Sequence, residues 1–253
     1  MDSNKIIGKA TLMAVILTLL LVPRTPANAQ FGGYGVKASL GLATISDDLT
    51  TRSPIFSAGL GGYINYTFAE SHSIMAETFF LQTGLNLIRR GSNFQVVLDM
   101  GNTLSERKGY YHAYYIQLPV LACFHMELPI RKAGHLVGVF AGPAVSYGLF
   151  GRCRDRMVSP GLSSRDANYD EKPAVFSRLK RLDVSAIVGI SYEYGPYTVS
   201  FVVDHGFLAT STETDVLRVL DRTISNDESL RVEIPNGHNA AYMLSFSYQL
   251  GKF

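Results

Sequence analysis

From Tyr34 onward the chain alternates an apolar residue with a small or polar one in stretches of roughly 10 to 14 residues, the period of a β-strand whose two faces meet different surroundings. The last stretch is the clearest, with Tyr242, Leu244, Phe246, Tyr248 and Leu250 on one face and Met243, Ser245, Ser247 and Gln249 on the other. Leu182, Val184, Ala186, Val188, Ile190, Tyr192 and Tyr194 likewise oppose Asp183, Ser185, Ile187, Gly189, Ser191 and Glu193. Tyr197, Val199, Phe201 and Val203 oppose Thr198, Ser200, Val202 and Asp204. Val36 to Ala43, Phe56 to Thr67 and Tyr114 to Met126 repeat the pattern, and two blurred stretches, Ile74 to Leu87 and Leu136 to Phe150, bring the expected count to eight strands. The uncharged window from Ala133 to Gly151 is long enough for a membrane helix. Its Gly134, Gly138, Gly142, Pro143 and Gly148 among β-branched and aromatic residues make a poor one, so it reads as a strand kinked at Gly142 and Pro143.

The connections set the topology. Those after the second, fourth and sixth strands are short (Ala69 to Ser73, Leu128 to Gly134, Gly195-Pro196). Those after the first, third, fifth and seventh are longer (Ser46 to Ile55, Ile88 to Tyr110, Gly151 to Arg181, Ala209 to His238). Short turns at one end and long loops at the other describe an all-β, eight-stranded antiparallel up-and-down transmembrane β-barrel with four long extracellular loops and both termini in the periplasm. A soluble lipocalin-like barrel has the same alternation but turns its apolar face inward. The membrane reading is preferred because the inward face would carry Lys37, Glu77, Asp183, Glu193 and Asp204, charges that an apolar interior accommodates poorly. Tyrosines also gather at segment ends, as at Tyr110, Tyr111, Tyr114 and Tyr115, and at Tyr192, Tyr194 and Tyr197, where an aromatic girdle would sit.

The first 29 residues do not share the pattern. Lys5 and Lys9, the apolar run Ala10 to Val22, Pro23 and Pro26, and Ala27-Asn28-Ala29 have the layout of a secretory signal with an A-x-A cleavage site. The expected organisation is a signal peptide over 1–29 and one barrel domain over 30–253. Without the signal, 20 of the 23 Lys and Arg and 20 of the 21 Asp and Glu remain, so the exported part is formally neutral. It lacks the basic stripe that nucleic-acid binding requires, and that class is excluded. Cys123 and Cys153 fall at opposite ends of their strands, well over about 15 Å apart at the rise of a strand, so no disulfide is expected between them.

Candidate chemistry is sparse. The six histidines (His72, His112, His125, His135, His205, His238) have no ligand spacing, so no metal or cofactor is expected. Asp204 and His205 are adjacent on a strand and point to opposite faces, against a catalytic pairing, and no G-x-S-x-G elbow is present. The inward charges are expected to form a hydrogen-bonded plug, since eight strands leave an interior just wide enough for side chains. Between the fifth and sixth strands lie Arg152, Arg154, Arg156, Arg165, Lys172, Arg178, Lys180 and Arg181 against Asp155, Asp166, Asp170 and Glu171, a net +4. The last loop has a net charge of −3. A basic loop at the outer leaflet can meet lipopolysaccharide phosphates or an acidic partner; the plainer alternative is that the two loops attract one another or are solvated. Thr212 and Asp215 ahead of Val216, Leu217, Val219, Leu220 and Ile224 read as a capped short helix, with Leu217 and Leu220 candidates for a protein contact. Arg152, Arg154, Arg156, Lys180, Arg181, Leu217 and Leu220 are therefore the candidate interaction residues.

Five segments carry a family resemblance: GVKASLGLATIS (Gly35 to Ser46), YIQLPVL (Tyr115 to Leu121), AGP (Ala141 to Pro143), GISYEYG (Gly189 to Gly195) and the closing SFSYQL (Ser245 to Leu250). In order and spacing the chain resembles the PorT-type outer-membrane β-barrel family of the Bacteroidota. It departs from that pattern in running on through Gly251, Lys252 and Phe253 and in having no tryptophan. The resemblance implies an outer-membrane location, assembly by the barrel assembly machinery, and an association with protein secretion. The expected function is a non-enzymatic outer-membrane protein, structural or partner-binding through its extracellular loops, with outer-membrane lipid, lipopolysaccharide and a secretion-system protein as expected partners. A small passive channel is the second reading and a membrane-embedded lipid-modifying enzyme the third.

Overall fold

The computed structural model describes residues 30–46, 51–67, 78–99, 104–128, 134–158, 168–171, 174–209 and 237–251. The strands are β1 (Gln30–Ser46), β2 (Thr51–Thr67), β3 (Phe79–Asp99), β4 (Leu104–Glu127), β5 (His135–Val158), β6 (Asn168–Glu171), β7 (Leu182–Tyr194), β8 (Tyr197–Ala209) and β9 (His238–Gly251), with a one-turn helix α1 (Val175–Arg178) between β6 and β7. All pairings are antiparallel, and the β4–β5 pairing closes the sheet into an eight-stranded barrel of β1 to β5 and β7 to β9. β6 lies outside the closure, paired with Asp155 to Val158 at the outer end of β5. Closure removes every long sheet edge, the condition for strands to cross a bilayer.

Side-chain direction separates two environments. Leu40, Leu60, Leu85, Leu118, Val139, Ile190, Phe201 and Leu244 are all exposed on the outside. Water would not tolerate so continuous an apolar surface, whereas lipid solvates it. Inside are Ser39, Ser57, Asn86, Gln117, Ser146, Asp183, Ser185, Ser200, Asp204 and Ser245, all buried, and typified by the 2.6 Å hydrogen bond between the hydroxyls of Ser39 and Ser245. This inverted arrangement answers the lipocalin alternative. Apolar interior residues form two tiers. The lower includes Phe80, Leu121, Cys123, Ile187 and Met243; the upper includes Ile45, Ile88, Tyr111, Tyr115, Cys153 and Val175. Cys123 and Cys153 are buried, one in each tier, and no disulfide joins them.

The structure differs from the sequence reading at the outer end. Residues expected as loop from Ile88 to Tyr110 continue as strand, with β3 and β4 paired from Phe79↔Phe124 up to Asp99↔Leu104. Gly151 to Val158, expected to begin a loop, is also strand, paired with Glu106 to Ala113 of β4. Beyond the hydrocarbon an outward side chain meets polar headgroups and water, so the apolar alternation ceases while the ladder persists. The expected kink at Gly142 and Pro143 takes the form of a gap in the β4–β5 ladder between Ala141↔Ala122 and Ala144↔Pro119; on the other side both residues pair with β7. The true irregularity of β5 is a bulge, since Tyr114 pairs with Phe150 and Tyr115 with Gly148, leaving Leu149 as the extra residue. The Gly195-Pro196 turn is as expected, with Gly195 supplying the positive φ of 60° that the tight β7–β8 hairpin needs. Glu77, His72 and the segment Thr212 to Ile224 lie outside the described residues.

Candidate functional site

Arg90 points into the lumen from β3 and is 2% exposed. Its Nη1 donates to Asp183 Oδ2 of β7 at 2.7 Å, and its Nη2 to Asp204 Oδ2 of β8. Asp204 Oδ2 also accepts from Gln117 Nε2 of β4 at 2.9 Å, and Asp183 Oδ2 from Asn239 Nδ2 of β9 at 2.9 Å. The Arg90 guanidinium stands 5.7 Å from the Tyr115 ring centroid. Five strands thus contribute to one cluster that ties opposite walls of the barrel together. Charges this deep survive only when paired and hydrogen-bonded. The expected plug exists, but its cation is Arg90, within the Ile88 to Tyr110 stretch expected as loop, and not Lys37.

Below the cluster a cavity of about 420 Å³ with mixed walls runs toward the end that carries the short turns, lined by Lys37, Tyr63, Asn86, His125, Glu193 and Gln249 among others. His125 Nδ1 and Glu193 Oε2 are 3.6 Å apart within it. Above the cluster lies the upper apolar tier. Val175 of α1 is buried there, while Phe176 packs edge-on to Tyr115 (6.0 Å between centroids) and lies over Gly148 so closely that a Cβ would come within 2.1 Å of its ring. Arg181 places its guanidinium 4.6 Å from the Phe176 ring and donates from Nη1 to the carbonyls of Gly148 (3.1 Å) and Leu149 (3.4 Å). Gly148 N–H donates in return to Arg181 O at 2.7 Å. Arg181, expected as an interaction residue, is therefore a clamp joining the β5 bulge to α1.

The remaining candidates divide. Arg152, Arg154 and Arg156 lie beyond the bulge on the outward face of β5, with Arg152 and Arg156 exposed and Arg154 partly covered. Lys180 is exposed between α1 and β7. Leu217 and Leu220 lie outside the described residues. The structure adds two cations to the three arginines of β5: Lys108 of β4, which pairs with Arg156, and Arg89 of β3, which pairs with Tyr114. Neither was singled out in the sequence, because both fell in the supposed third loop.

Asp204 and His205 do not come together as a catalytic pair. Asp204 is buried in the lumen while His205 is exposed on the opposite face. His205 and His238 approach to 6.3 Å between ring centroids, a nearness invisible in sequence spacing, but among the described residues no group of three His, Cys, Asp or Glu side chains converges.

With this geometry in view, the outer membrane protein β-barrel domain matches residues 28–210. The chain belongs to that outer-membrane β-barrel family. No curated protein sequence matches it. Among solved structures, this outer-membrane barrel is similar to Ail, the attachment invasion locus protein of Yersinia pestis, in complex with the heparin analogue sucrose octasulfate, at 10% identity over 87% of this chain and 100% of that one, with a TM-score of 0.38. It is also similar to Neisserial surface protein A, at 11% identity over 87% and 99% with a TM-score of 0.36. A third similar structure is the N-terminal β-barrel domain of Pseudomonas aeruginosa OprF, at 10% identity over 87% and 100% with a TM-score of 0.32.

Proposed function

We propose that this outer-membrane barrel is non-enzymatic and does its work at its extracellular end, as a structural or partner-binding component whose lumen is shut. The observation that carries the reading is the Arg90–Asp183–Asp204 cluster with Gln117 and Asn239, which crosses the lumen beneath a mouth filled by Val175 and Phe176. A sealed barrel has no transport to perform. The order of the five segments from GVKASLGLATIS to SFSYQL supports a PorT-type place within the family, and with it an accessory role in protein secretion with a secretion-system partner. Export through the signal at 1–29 is part of the proposal; intact-mass measurement of the membrane-extracted protein should give a chain beginning at Gln30. In planar bilayers the purified protein should give no stepwise conductance. Steady, reproducible channel steps would overturn the sealed-barrel reading.

The passive-channel alternative is favoured by one feature, the cavity of about 420 Å³ reaching from the periplasmic rim to the cluster. The same bilayer recording decides between the two.

A further inference from the structure

The outward face of β3, β4 and β5 is a grid in which the pairing registers fix every neighbour. Two rows, Leu85, Leu118 and Val145 followed by Leu87, Ile116 and Tyr147, are apolar and exposed. The next row is Arg89, Tyr114 and Phe150. Above it come Gly91, His112 and Arg152, then Asn93, Tyr110 and Arg154, then Gln95, Lys108 and Arg156. The chemistry changes within one row, so the upper edge of the apolar belt on this side lies at Tyr114 and Phe150. No aliphatic side chain stands on these three upper rows, and each carries an Arg from β5.

Successive rows are about 6.6 Å apart along the strand, or about 5 Å along the barrel normal at a tilt near 40°. The headgroup layer is about 5 to 8 Å thick on each side of the hydrocarbon. Arg89, His112 and Arg152 therefore sit at headgroup depth, with Arg154, Lys108 and Arg156 just beyond. An aromatic ladder keeps the spacing, with ring centroids 4.8 Å apart for Tyr114–Phe150, 6.5 Å for His112–Tyr114 and 5.8 Å for Tyr110–His112. The Nε of Arg89 is enclosed and has no hydrogen-bond partner. Lys108 and Arg154 are also engaged within the protein.

Two acidic residues hold neighbouring positions, Glu106 one row above Lys108 and Asp170 of β6 opposite Arg156. The five cations exceed them. The other side of the barrel differs: at the same end β1, β8 and β9 turn Thr44, His205, Phe207 and His238 outward. The excess of positive charge thus lies on one side of the barrel, against lipid, at the depth where anionic headgroups are found.

We propose that this β3–β5 face is a binding site for the phosphates of a phosphorylated glycolipid of the outer leaflet, with Arg89 and Arg152 gripping phosphate at the belt edge and Arg156 reaching the headgroup above. Arginine suits the role because its fork donates in pairs to phosphate oxygens. The site rests on the outer-membrane reading and names the ligand class of its extracellular face.

The test uses the full exported protein in detergent, titrated with vesicles containing bisphosphorylated lipid A and with vesicles containing the dephosphorylated form. Phosphorylated vesicles should bind at least tenfold more tightly, and a triple R89Q/R152Q/R156Q variant should lose that preference while retaining the heat-shifted gel migration of a folded barrel. An H205Q variant, altered at an exposed position on the far side of the barrel, should bind as the wild type does. Inorganic phosphate at millimolar concentration should not compete. Equal binding of the two lipids, an unaffected triple variant, competition by free phosphate, or displacement by polyglutamate in place of lipid would overturn the proposal. If the triple variant does not fold, R152Q and R156Q singly should each reduce the preference, and no reduction overturns it. A barrel that shows heat-shifted migration and no conductance but no phosphate preference would refute this site alone and leave the functional reading standing.

Discussion

Arg90 is one cation facing two buried carboxylates, and that asymmetry makes its neighbours unequal. Removing the guanidinium by Arg90→Met would leave Asp183 and Asp204 facing each other across the lumen without a counter-charge. Stranding buried charge in this way typically costs about 3–5 kcal/mol. Asp183→Asn would keep an acceptor toward Arg90 and leave the one-to-one pair with Asp204, so its cost should be at most about 1 kcal/mol. Urea unfolding of the vesicle-inserted barrel followed by tyrosine fluorescence should rank Arg90→Met far below Asp183→Asn. Equal midpoints would show that the cluster holds its charge by some other route. The same residue marks where the sequence was opaque. Arg89, Arg90, Glu106, Arg107 and Lys108 interrupt the apolar alternation, and a strand that has left the hydrocarbon looks like loop when read by hydropathy. The inward positions Ile88, Arg90 and Ser92 do keep the period of two, but polar residues on both faces conceal it.

At the scale of elements, the strand faces were legible because lipid on one side and a polar lumen on the other impose opposite chemistry on alternate residues. Thus Ile116, Leu118, Val120, Phe124 and Met126 of β4 are exposed and Tyr115, Gln117, Leu121 and Cys123 buried, as the alternation requires. The seal over the mouth was not legible. α1 has four residues, no side-chain cap at Ala174 and no acidic residue in its first turn, so nothing local announces it. So short a helix is held by what it packs on, here the Gly148 bulge, Tyr115 and the Arg181 clamp. Phe176→Ala should therefore release the segment without unfolding the barrel. The expected outcome is several-fold faster protease cleavage between β5 and β7 on intact cells, with unchanged heat-shifted migration of the undigested protein. Arg181→Ala should act in the same direction and more weakly, because the guanidinium is exposed and the Phe176 contacts with Tyr115 and Gly148 remain. Cleavage at the wild-type rate in both variants would mean that α1 is not fastened by these contacts.

At the scale of the molecule, the barrel has a direction as well as a fold. Tyrosines crowd the end carrying the Gly195-Pro196 turn, where His135 stacks on Tyr194 (4.6 Å) and Tyr197 lies against Tyr248 (5.2 Å). The opposite end carries the β3–β4 hairpin, the long outward extension of β5 beside it, and the cations. Short turns on the periplasmic side then place Asn93 outside the cell and Pro196 inside the envelope. The native thiols make this measurable, because Cys123 and Cys153 are buried and contribute little background in the folded protein. A membrane-impermeant maleimide applied to intact cells should label an Asn93→Cys variant and leave a Pro196→Cys variant unlabelled until the outer membrane is permeabilised. Both positions are exposed, Asn93 on the outward face of β3 above the apolar belt and Pro196 in the β7–β8 turn, and neither side chain belongs to the lumen cluster, so neither substitution should disturb closure. The reverse labelling pattern would invert the barrel and with it the place of the cationic face. Labelling of both variants in intact cells would remove the membrane barrier between the two ends, and no transmembrane reading would survive that result.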